Sequence, residues 1–62
     1  MKIEDIKRID NAAAAQQAAI DWQVWAADQS LSYGELAEWA DAFEELGDKF
    51  DLTDEFKENG IL

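Results

Sequence analysis

Sixty-two residues carry 15 acidic and five basic side chains, no cysteine, no histidine and no proline, for a net charge of −10. That length admits one domain with a barely sufficient core, and neither a disulfide nor a Cys/His zinc site is available to staple it. The charge argues against direct binding to nucleic acid or to an anionic membrane, and it would attract a basic protein partner.

The absence of proline and the many alanine, glutamate, leucine and glutamine residues predict helix throughout. The opening MKIEDIKRID has no apolar signal core, and Gln16, Gln17, Asp21 and Gln23 interrupt the longest apolar-rich run. A cytoplasmic protein without a membrane span is expected.

The first helix is predicted over residues 3–28, with Glu4 and Asp5 near the positive end of its dipole. On a helical wheel Ile6, Ile9, Ala13, Ile20, Val24 and Ala27 fall within about 60°, the pattern of a core stripe. Ala14, Ala15, Ala18, Trp22 and Trp25 form a second apolar arc on roughly the opposite side. Two stripes need two coverings. The second arc therefore predicts a partner contact anchored by Trp22 and Trp25, with Ala18 allowing close approach. The same surplus, added to the marginal core, predicts a homo-oligomer, most simply a homodimer.

Ser32 is a suitable N-cap for a second helix over 33–50, Glu35 would complete a capping box, and Leu31 with Leu36 would form a hydrophobic staple. The joint from Gln29 to Leu31 makes the two long helices antiparallel neighbours. Leu36, Trp39, Ala40, Phe43, Leu46 and Phe50 share one apolar face, with Gly47 tolerated inside at about 1 kcal/mol. Thr53 should cap a short third helix over 54–59, and Gly60 should end it by setting Ile61 against Phe56. The expected architecture is a single all-α domain, 1–62: an antiparallel helical hairpin closed by a short helix. A first helix of that length spans roughly 40 Å and must project beyond its partner.

No catalytic motif emerges. Ser30, Ser32 and Thr53 sit in capping or loop positions without a base, and the three glycines are isolated. The acids Asp48, Asp51, Asp54 and Glu55 lack the spacing of a calcium loop. Catalytic, cofactor and metal sites are therefore not expected. The acids are unevenly spread. Residues 1–32 hold five acids against three bases, net −2, and residues 33–62 hold ten against two, net −8. Glu38, Asp41, Glu44, Glu45, Asp48 and Asp51 line the second helix opposite its apolar face. Such a ridge either solvates the protein or, with Glu38, Asp41, Glu45 and Asp48 as contact residues, imitates the phosphates of a nucleic acid.

The C-terminal half, LSYGELAEWADAFEELGDKF followed by DLTDEFKENGIL, resembles small uncharacterised proteins of phages and prophages of Gram-positive bacteria, chiefly through SYGELAE and EFKENGI. The resemblance implies a bacterial cytoplasm and a phage-related role, and it brings no activity with it. The expected function is a non-catalytic protein–protein interaction module, an accessory or inhibitor protein. A DNA-mimic inhibitor and a purely structural subunit of a larger assembly are the alternatives.

Overall fold

Asn11 divides the first predicted helix in two. In the computed structural model, which describes all 62 residues, its backbone is extended and its side-chain carbonyl accepts from the Ala14 N–H at 2.8 Å. An N-cap is thus seated where the wheel ran one helix straight through. The Ile9 N–H has already left the α-helical pattern, reaching only to the Ile6 carbonyl at 3.3 Å. The chain forms α1 (Ile3–Lys7), α2 (Ala12–Ala27), α3 (Tyr33–Phe50) and α4 (Thr53–Glu58). The all-α class holds, with two long helices among the four and no strand.

The break decouples two helical phases that the sequence reading had tied together. α1 folds back against α3 and buries Ile6, with Ile3 and Ile9 packed beside the core. Lys49 Nζ, from α3, donates to the Ile9 carbonyl at 3.3 Å and pins the connection. Freed from the phase of α1, α2 turns its alanine and tryptophan arc inward. Ala15 and Ala19 are buried, and Ala18, Trp22 and Trp25 pack against the same cluster. Ile20 and Val24, expected in the core, are instead 56% and 70% exposed. The projecting rod is also absent, since the body measures 29 × 23 × 18 Å.

α3 is the central element and touches each of the other helices. Ser32 caps it, accepting from the Glu35 N–H at 3.1 Å, and Trp39, Ala42, Phe43 and Leu46 form its buried face. It ends at Asp51, whose left-handed conformation (φ 57°) lets the Leu52 N–H reach the Gly47 carbonyl at 2.8 Å. So tight a turn starts α4 one residue earlier than expected. Leu52 takes the cap position, and Thr53 becomes the first helical residue, its hydroxyl donating to Asp48 Oδ1 at 3.3 Å.

Gly47 is more than tolerated. A Cβ there would lie 2.9 Å from Thr53 Oγ1 and 3.1 Å from Thr53 Cα, so its bareness permits the close approach of α4. Gly60 (φ 77°) ends α4 as expected. The Ile61 N–H bonds the Phe56 carbonyl at 2.8 Å, and both side chains are buried.

Candidate interaction surface

Trp22 and Trp25 enter a continuous chain of rings. Trp25 lies 5.4 Å from Trp39 between centroids, Trp22 lies 6.1 Å from Trp39 and 5.5 Å from Phe43, and Phe43 meets Phe56 edge-on at 5.8 Å. Tilted and edge-on pairs at these separations are favourable beyond the area they bury. The two half-buried tryptophans, with Ala18, thus pack against the molecule's own core and keep only part of their surface free, where a fully uncovered arc was expected. A continuous helix would have locked this arc away from the isoleucine stripe; the break at Asn11 lets Ile6 of α1 and the Ala/Trp arc of α2 both find cover, and leaves Ile20 and Val24 outside.

The second group of expected contact residues is outward. Glu38, Asp41, Glu45 and Asp48 are all exposed, together with Glu44, on the side of α3 opposite its buried face. Glu38, Asp41 and Glu45 border a shallow depression shared with Ile3 and Lys7, whereas Glu44 and Asp48 border one shared with Thr53, Lys57 and Leu62. The structure therefore separates the expected site: its tryptophans point in and its carboxylates out.

What α2 leaves to solvent is mixed: Ile20 and Val24 stand out as large apolar side chains among Gln16, Gln17, Asp21 and Gln23, and Gln17 donates to Asp21 Oδ1 at 2.9 Å. Ile20 and Val24 are flanked along the helix by exposed Ala13 and Ala27, and Asp21 is the sole charged side chain between Ala12 and Ala27. Beside this strip runs a groove of about 320 Å³ between α2 and α4, lined by Gln16, Ala19, Ile20, Gln23, Glu55, Phe56, Asn59 and Ile61. Two side chains bridge its walls: Gln16 donates to Glu55 Oε1 at 3.3 Å, and Gln23 donates to the Asn59 carbonyl. No family model, curated protein or solved structure matches the chain.

Sequence reasoning missed this surface because it assigned Ile20 and Val24 to the core. A local signal was available in Asn11, a preferred capping residue placed directly before an alanine run. Starting a new wheel there removes Ile6 and Ile9 from the vote, and the larger tryptophan side chains then define the inner face. No helix is long and apolar enough to cross a membrane.

Proposed function

We propose that the protein is a small, non-catalytic protein-binding module, an accessory or inhibitor that acts by occupying the surface of another protein. The observation that carries this reading is the apolar strip of α2, where Ile20 and Val24 are 56% and 70% exposed on a helix with one charge in 16 residues. Isolated apolar side chains are common on surfaces, but a strip that adjoins a groove is the form a docking face takes. The resemblance of SYGELAE and EFKENGI to phage and prophage proteins supports a bacterial cytoplasm and a phage-related role. Affinity capture from lysogenic cells, with the wild type beside an Ile20→Asp, Val24→Asp variant, tests the reading. A partner retained by the first and lost by the second is expected; equal retention by both, or none by either, overturns it.

One observation favours the second reading, a nucleic-acid mimic. Glu38, Asp41, Glu44, Glu45 and Asp48 share one exposed face over about 15 Å of helix, an axial charge spacing close to the roughly 3.4 Å of a single DNA strand. Binding through this face would weaken steeply with salt and vanish on neutralising Glu38, Asp41, Glu45 and Asp48 together. Binding indifferent to salt excludes it.

A further inference from the structure

We propose that the outer strip of α2, together with the α2/α4 groove, docks a cationic amphipathic helix of a partner protein. This inference rests on the reading of the chain as a binding module and names the face and the chemistry of its partner. The shape comes first. α2 offers about 24 Å of helix, with Ile20 and Val24 one turn apart on its outer side and the groove, floored by Ala19, Phe56 and Ile61 and edged by Gln16 and Gln23, beside them. A second helix laid along it would meet Ile20 and Val24 with apolar side chains three and four residues apart, and one more could enter the groove.

The charge decides the occupant. Asp21 and Asp28 follow one edge of the strip, and Glu55 stands on the opposite wall of the groove. Three of the five basic side chains are engaged elsewhere. Lys7 lies beside Glu38 and Asp41, Lys49 holds the Ile9 carbonyl, and Lys57 lies on the far side of α4 beside Glu44 and Asp48. An apolar track edged by carboxylates on both sides, on a chain of net charge −10, complements a helix with lysine or arginine flanking its apolar stripe. A second copy of this chain fits worse. It would set Asp21, Asp28 and Glu55 against the same residues, and like charges brought together are penalised.

The probe is a fluorescent leucine/lysine peptide designed as an amphipathic helix. Its control is a peptide of identical composition, permuted so that its apolar residues cannot share a face. Anisotropy titration of the full chain at near-physiological salt should show binding of the first and at least about tenfold weaker binding of the second. Ile20→Ser with Val24→Ser, which leaves the charge unchanged, should weaken the first by about tenfold or more. Glu38→Gln, Asp41→Asn and Glu45→Gln together should leave it within about twofold. Amide NMR shifts should centre on Ile20, Gln23, Val24, Glu55 and Asn59.

Equal binding of both peptides, loss only on neutralising α3, or absence of binding overturns the inference. So does a concentration-dependent dimer that excludes the peptide. Cellular capture that depends on Ile20 and Val24 while the peptide fails to bind overturns the cationic helix alone and leaves the binding module standing.

Discussion

The indole N–H of Trp22 is buried with no acceptor. An unsatisfied buried donor costs about 1–3 kcal/mol, so this ring trades a polar penalty for its packing against Trp39 and Phe43. Trp22→Phe removes the penalty and gives up roughly 1–2 kcal/mol of burial. It should therefore leave stability within about 1 kcal/mol of wild type. Trp22→Ala, which also empties the space between those rings, should lose about 3 kcal/mol. Urea unfolding followed by circular dichroism separates the two; a phenylalanine variant as unstable as the alanine one would show that the N–H is satisfied. The identity of Trp22 as an aromatic anchor was legible in the sequence, but the direction it faces was not, because that depends on a backbone phase set eleven residues earlier.

At the scale of elements, the signals that could be read were those closed within a few residues. Ser32 with Glu35, and Gly60 with Ile61 and Phe56, make their bonds locally, and both helix ends stand where the sequence put them. The α3–α4 joint is different. Gly47 looks like a mild weakness inside a helix until Thr53 arrives against it from the next one. Gly47→Ala would gain about 1 kcal/mol of intrinsic helix propensity. The added methyl nevertheless meets backbone of Thr53 at 3.1 and 3.2 Å, and overpacking against backbone outweighs that gain. A net loss of about 1–2 kcal/mol in thermal unfolding is expected; a variant more stable than wild type would mean that α4 can shift outward freely. The division of α1 from α2 rests on a similar non-local fact, since only the seat on α3 rewards folding Ile6 back.

The folded chain has the compactness of a globular protein of its length. Its radius of gyration is 10.6 Å, against about 10.5 Å for a compact chain of this length, and its accessible surface is 4207 Å², against roughly 4,000 Å² for a folded protein of its mass. Its charge nevertheless strains it. The longest dimension, 29 Å, is comparable to the Debye length of about 30 Å at 0.01 M salt, so there every carboxylate senses the others. Raising sodium chloride to about 0.5 M should relieve roughly 1–3 kcal/mol of repulsion along α3. Since each 1 kcal/mol moves the midpoint by about 4–8 °C in a domain of this size, the melting temperature should climb by several degrees, and a flat salt series would show that the ridge is not strained. The returning first helix also imposes an order of assembly. Ile6 shares its seat with Ala42 and Leu46, about forty residues onward, whereas Trp25 and Trp39 are joined by a short loop. α1 precedes α3 in the chain, so it has no seat until the segment about forty residues onward is in place.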